Sequence, residues 1–308
     1  MRFDKCSELL SHDSVCIFLL HGVVEHSNYE YRNFNRKHIL SKEFDYFIQS
    51  LKINGTALTT SDLIDIQNGQ PLPQRSFVIT FDDGFKNNLT VAAPILKKYR
   101  VPATVYLTTG FVSNNTMSWI DRIDWAIEQS GCIEKLELTV PWQPSPKLLT
   151  DHNSRLSFLK EVRSVVKSEK EINQTVLADD IQQQLGFDLT YSVYGELDEK
   201  LTWSDVSELI SSKLFTIGGH THTHPIMSFL NESDLEFEVN HCLNLLEQEA
   251  GVVTEHFAYP EGLSHCYNDA VIGCLKDAGI KCCPTAEDGL NKMGVDSDLF
   301  RLKRVFVD

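Results

Sequence analysis

Ser76-Phe-Val-Ile-Thr-Phe-Asp-Asp-Gly84 is the stretch that decides the fold class. Phe77 to Phe81 is a short run of apolar and β-branched residues, the pattern of a strand buried on both faces. Two carboxylates and a glycine follow it at once, so the run ends where polar chemistry begins. Working outward, the same alternation recurs. Upstream, Val15 to Leu20 is a strand-type run, and Phe44, Phe47, Ile48 and Leu51 return at helical spacing. A brief strand at Ala57 to Thr59 precedes a short helix from Ser61 to Gln67, closed near Gly69. Downstream, Leu89, Ala92, Ala93, Ile95 and Leu96 mark a helix, and Pro102 to Thr108 a strand. The rhythm resumes at Thr202-Trp-Ser-Asp205, a capping-box-like helix start. Leu214 to Ile217, Glu255 to Tyr259, Ile280 to Cys283 and Arg304 to Val307 read as further strands. The helices between them carry Leu235, Val239, Cys242, Leu243 and Leu246, then Ala270 to Leu275. Strands alternating with helices imply parallel pairing through right-handed crossovers. About seven such units with short strands predict an α/β fold closed as a barrel.

Residues from about 113 to 200 break this rhythm. Trp119, Ile120, Ile123 and Ile127 share a helical face, and a connector rich in proline follows (Pro141, Pro144, Pro146). Two polar helices carry Leu156, Leu159, Val162 and Val166, then Ile172, Val176, Ile181 and Leu185. The expectation is one domain over residues 1–308, with a mainly helical insertion at about 113–200 whose narrow apolar faces dock on the main body.

Composition narrows the class. With 308 residues, 42% hydrophobic and 23% charged, the chain can bury a large core and is neither fibrous nor disordered. Lys+Arg number 28 against 43 Asp+Glu, a net charge of −15. That argues against nucleic acid, whose phosphates need clustered cations, and against an anionic membrane surface. No apolar run approaches the ~20 residues of a spanning helix. The first residues carry no leader pattern either, which predicts a cytoplasmic location. Eight scattered cysteines without a CxxC pair read as free thiols, with the adjacent Cys282 and Cys283 on two faces of a strand. Nothing in the sequence fixes the oligomeric state.

In parallel α/β folds the chemistry sits at the C-terminal ends of the strands. That filter returns His21 after Leu20, Asp82 and Asp83 after Phe81, and His220, His222 and His224 after the strand ending near Gly218. It also returns Tyr259, Pro260 and Glu261. Each has a bland reading when taken alone: a capped turn, a packed histidine, a solvated loop charge. Together they make a metal site. Two imidazoles and a carboxylate are the usual three protein ligands of an open catalytic centre, and His220 and His224 share a face whether helical or extended. Adjacent aspartates diverge, so one can ligate while the other acts as base. A divalent ion acidifies water and polarises a carbonyl, which is the minimum for hydrolysis of an amide or ester.

Three ordered motifs, Phe77-Val-Ile-Thr-Phe-Asp-Asp-Gly-Phe85, Ile217-Gly-Gly-His-Thr-His-Thr-His-Pro225 and Phe257-Ala-Tyr-Pro-Glu-Gly262, resemble those of NodB-type polysaccharide deacetylases, carbohydrate esterase family 4. The resemblance runs from about Val15 to Val307 and is weakest in the insertion. It implies a distorted (β/α)7 barrel that removes N-acetyl, sometimes O-acetyl, groups from sugars with the help of a metal. Asp82 is then the base. Asp83, His220 and His224 are the ligands of one divalent ion, zinc first, although the donor set also suits cobalt, nickel or iron. The loop of Tyr259, Pro260 and Glu261 meets the substrate, and a backbone N–H near Glu261 helps hold the oxyanion.

Two family features are missing. The motif arginine that orients the base is replaced by Ala258, and no late histidine supplies a general acid. Phe18-Leu-Leu-His-Gly22 is similar to the start of the permuted poly-N-acetylglucosamine deacetylase branch, where the acid-bearing strand comes first. His21 is thereby the implied general acid, and Arg304 a candidate to orient Asp82. The expected partner is an N-acetylated carbohydrate. Two other readings stay open: a glycan-binding protein with a weak or dead site, and a metal-dependent amidase acting on a non-sugar amide.

Overall fold

The computed structural model describes residues 3–188 and 195–307. Its strands are β1 (Ser14–Leu20), β2 (Gly22–Val24), β3 (His38–Leu40), β4 (Thr56–Leu58), β5 (Ser76–Phe81), β6 (Ala103–Leu107), β7 (Leu136–Val140), β8 (Gln143–Leu149), β9 (Phe215–Gly219), β10 (Asn291–Lys292) and β11 (Val305–Phe306). The α-helices are α1 (Ser41–Asn54), α2 (Thr60–Gln67), α3 (Ala93–Tyr99), α4 (Thr109–Asn114), α5 (Trp119–Gln129), α6 (His152–Ser168), α7 (Gln174–Gln184), α8 (Trp203–Ser211), α9 (Glu232–Ala250) and α10 (Asp269–Asp277).

Strand β5 lies in the middle. Every residue of it is buried, as its apolar run dictates. It pairs in parallel with β1 over Cys16–Phe77 to Leu20–Phe81. Along its other edge it pairs first with β4 and then with β6. The parallel path runs β11, β1, β5, β6, β9. It continues through the single parallel bridges Gly219–Phe257 and His256–Cys282. Those last two segments, read as strands in the sequence, touch their neighbours too briefly to form longer ladders. The architecture is an α/β fold with a mainly parallel sheet. Cys282 packs with Val15, Ile17 and Val78, whereas Cys283 joins the main core, so the two thiols do lie on opposite faces.

The main core is built from both periodicities. Phe18, Phe77, Ile79, Phe81 and Val105 come from the strands; Phe44, Phe47, Leu51, Val239 and Leu246 come from helix stripes. The expected cap at α8 is present: Thr202 Oγ1 accepts from the Asp205 N–H at 3.2 Å, and the Asp205 carboxylate accepts from the Thr202 N–H at 2.8 Å.

The segment from about 113 to 200 differs from its reading in two ways. Its proline-rich stretch is no connector but the β7–β8 hairpin, antiparallel with Leu136 opposite Leu149. The register shifts between Leu138 and Val140, opposite residues 143 to 147. Pro144 and Pro146 fall in that irregular stretch, where no ladder hydrogen bond is required of them. In addition, its apolar faces meet one another: Ile123, Ile127, Leu138, Phe158, Leu159, Val162 and Ile181 form a cluster apart from the main core. No helix among the described residues is long and apolar enough to cross a membrane.

Candidate active site

The ends of β1, β5 and β9 converge on one pocket of about 300 Å³. His21, Asp82, Asp83, His220, His224 and Glu261 all line it. Strand β9 ends in two glycines for a packing reason. A Cβ on Gly218 would lie 2.6 Å from the Tyr106 ring, and one on Gly219 2.6 Å from the Phe257 ring.

Beyond Gly219 the chain folds into a tight loop, not a helix. Thr221 and His224 adopt φ of 62° and 66°, the left-handed region that non-glycine residues avoid. Asp83 (φ 73°) and Glu261 (φ 60°) do the same. Such conformations cost of order 1–3 kcal/mol each and concentrate at functional sites. The two aspartates therefore diverge through a left-handed turn at Asp83 and not through extended backbone.

Asp83 Oδ1 faces His220 Nε2 at 3.6 Å and His224 Nε2 at 3.3 Å. Donors bound at ~2.0–2.2 Å on tetrahedral sites stand roughly 3.4 Å apart, so this spacing fits a single ion. Among the described residues these three form the group of metal-type donors that meets within 4.8 Å. Asp83 Oδ1 is buried and makes no well-aligned hydrogen bond, an orphan that a cation would satisfy. His220 Nδ1 donates to the Ala258 carbonyl at 2.7 Å, which leaves the Nε2 lone pair of the neutral ring aimed at the site. Burial lowers the pKa of His220, against the pull of Asp82. His224 is raised despite burial, because it stands against Asp83. Asp83 itself lies well below the carboxylate range, since Lys37 and His224 outweigh the effect of burial.

Asp82 points the other way. Arg304 grips it with two bonds, Nη1 to Oδ1 and Nη2 to Oδ2, both 2.8 Å. Burial would raise this carboxyl, but Arg304 and then His220 hold it below its usual value. Arg304 is among the most completely buried large side chains of the protein. Its guanidinium enters from the residue before β11 and reaches Asp82, which Ala258 is too short to reach. His21 is braced from behind, its carbonyl accepting from Asn88 Nδ2 at 2.8 Å. Burial lowers its ring to about 4, against Asp83. That ring is neutral at pH 7.

Tyr259 and Pro260 do not join the site. The Tyr259 ring is buried in the main core, stacked on Tyr267, and its hydroxyl donates to the Phe300 carbonyl at 3.0 Å. The next strand-end residues do not follow it inward: Glu261 lines the pocket and pairs with Lys167 of α6. His222 turns away, bonded to Thr109 Oγ1 at 3.0 Å and packed edge-on against His241.

Sequence reasoning missed four residues, three of them charged groups that reach the pocket. Lys37 Nζ sits 3.0 Å from Asp83 Oδ2 and 3.2 Å from Asp121, and it occupies the Asp83 carboxylate's second oxygen. Its pKa is raised by those two carboxylates, which overcome burial. Lys167 and Arg163 reach the pocket from α6. None of the three carries a local signal, since each arrives from a segment far away in the chain. Glu238 of α9 was also missed. One carboxylate oxygen accepts from the His222 and Thr223 N–H groups at 2.8 Å each, and the other from Thr223 Oγ1 at 2.5 Å. It thereby clamps the loop between His220 and His224. Glu238→Ala is expected to weaken divalent-ion affinity by about 10–100-fold, as loss of a supporting contact does elsewhere. Competition with a chromogenic chelator reads this directly, and unchanged affinity in a folded variant contradicts the clamp.

A sequence profile described as polysaccharide deacetylase matches residues 69–283. Poly-beta-1,6-N-acetyl-D-glucosamine N-deacetylase of Staphylococcus epidermidis is 34% identical over 99 residues, 32% of each chain. The protein of the same name from Staphylococcus aureus is 32% identical over 98 residues, 32% of this chain and 33% of its own length. The chain thus spans about a third of the curated relatives it matches. Among solved structures, IcaB from Ammonifex degensii superposes with a TM-score of 0.60 at 17% identity, covering 97% of this chain and 94% of its own. The Streptococcus pyogenes deacetylase PplD in complex with acetate gives 0.58 at 16%, covering 96% and 93%. These likenesses share the fold seen here. With the profile covering more than half of its residues, the chain belongs to the polysaccharide deacetylase family.

Proposed function

We propose that the protein is a metal-dependent hydrolase that removes the acetyl group from an N-acetylated sugar. The observation that carries this reading is the meeting of Asp83, His220 and His224 beside the Arg304-held Asp82 in one pocket. The names of the poly-β-1,6-N-acetylglucosamine deacetylases it resembles support the sugar class. The whole chain acts as one deacetylase domain, to which residues 113–200 add a wall of the pocket.

Asp83, His220 and His224 would hold one divalent ion, zinc being the natural first choice for this donor set. When bound, the ion supplies Lewis-acid polarisation of the acetyl carbonyl and makes water more acidic. Asp82 accepts the proton of the attacking water on its carboxylate. As the C–N bond breaks, His21 passes a proton to the departing amine nitrogen, giving acetate and a free amino sugar. Burial keeps the resting ring neutral, so His21 takes a proton from solvent before it donates to the amine, and Asp82 returns the water's proton to solvent to close the cycle. A backbone N–H near Glu261 would help hold the developing oxyanion.

The test is acetate release from N-acetylglucosamine oligomers by protein loaded with zinc or cobalt, with a chelator-treated control, alongside metal content. A folded wild type that takes up no metal, while the His220→Ala/His224→Ala variant behaves identically, defeats the hydrolase reading.

A further inference from the structure

We propose that the pocket is built for one acetylated sugar unit at a chain end, or on a short oligosaccharide, and not for an internal unit of a long polymer. The inference rests on the deacetylase reading and concerns the same site.

A polymer needs an open groove that continues past the reacting unit. Here the C-terminal end of α6 stands between two cavities. On one side of it is the pocket of about 300 Å³ that His224 lines, at the small end of the ~300–1,000 Å³ range of ligand sites. On the other is a second cavity, also of about 300 Å³, lined by Thr223, Pro225 and Ile226, the immediate neighbours of His224. Helix α6 contributes Lys167 to the first cavity and Val166 to the second, so it forms the partition between them.

The partition is tied to the loop after Tyr259 through two contacts of Lys167. Lys167 Nζ pairs with Glu261, and His265 Nε2 lies 2.9 Å from the Lys167 carbonyl. One turn earlier, Arg163 pairs with Asp124 and lies 4.6 Å over the Phe34 ring. Trp119 at the start of α5 adds an aromatic surface to the pocket. A sugar ring stacks on such a surface without needing neighbours on either side.

The experiment uses the full metal-loaded chain and β-1,6-linked N-acetylglucosamine as the monomer, dimer and hexamer. Tandem mass spectrometry maps which unit of the hexamer loses its acetyl group. The expected result is reaction at a terminal unit, with kcat/KM equal for dimer and hexamer within about threefold. Lys167→Ala, which releases the partition from Glu261, is expected to raise the ratio of internal to terminal reaction about tenfold. Internal reaction in the wild type, with kcat/KM climbing with chain length, overturns the inference and leaves the deacetylase reading intact. Acetate release from none of the three overturns the deacetylase reading itself. The wild-type map decides the matter alone should Lys167→Ala prove unstable.

Discussion

Asp82→Asn is expected to lower acetate release by about 10²–10⁴-fold, the share that a positioned general base contributes, while the protein still takes up its divalent ion. The reason is a division of labour between neighbours. Asp82 Oδ2 lies 4.0 Å from His220 Nε2, whereas Asp83 Oδ1 stands at 3.6 and 3.3 Å from the two imidazoles. Asparagine keeps the size of Asp82 and its donor-facing oxygen but cannot accept and hold a proton at neutral pH. His220→Ala removes one of the three proposed ligands and is expected to lose metal and turnover together. Comparing metal content with acetate release in the two variants separates the roles. Normal turnover in Asp82→Asn would falsify the assignment of the base.

Which of these residues were legible beforehand follows from physics. His21, Asp82, Asp83, His220 and His224 each follow a short apolar run, and parallel topology brings strand ends together whatever the loops do. Burial of every residue of β1 and β5 matches those runs. Tyr259 was misplaced because it belongs to a segment that pairs only through single bridges, where the strand's end is ill defined. Its ring follows the inward-facing set into the core, and the pocket begins two residues later, at Glu261. Lys37, Glu238 and Lys167 stayed hidden for another reason. Periodicity says which face of an element is buried; it does not say that the loop residue Lys37 meets Asp83, that Lys167 meets Glu261, or that Glu238 meets the His222 and Thr223 backbone. Glu238 in particular sits on α9 beside Val239, a core position, and looks like an ordinary flanking charge. The hairpin β7–β8 was hidden by its own prolines, which the bulge tolerates.

Arg304 carries the second large expectation. Its side chain is fully buried, and Asp82 beside it is nearly so. Such a pair adds little stability compared with well-packed apolar residues, yet breaking it from one side costs about 3–5 kcal/mol, because a charge is left in the interior without its partner. Arg304→Met should therefore destabilise the protein by that amount, and Asp82→Asn by a comparable one. Combined, the two substitutions remove both charges. The double variant is then expected to be more stable than the sum of the singles by at least ~2 kcal/mol, within the coupling seen for residues in one network. Denaturant unfolding of the four proteins measures this coupling. Activity behaves differently. Arg304→Met leaves the Asp82 carboxylate without the fork that fixes both its oxygens, so kcat falls while the ligand set is untouched; the double variant regains stability and stays inactive. Additive stabilities, or an Arg304→Met protein with normal kcat, would show that Arg304 fills space in the core and does not orient the base. The arginine absent at Ala258 has then no replacement on β11. A coupled result instead places the orienting cation on a different strand from the motif loop, with the same carboxylate in its grip.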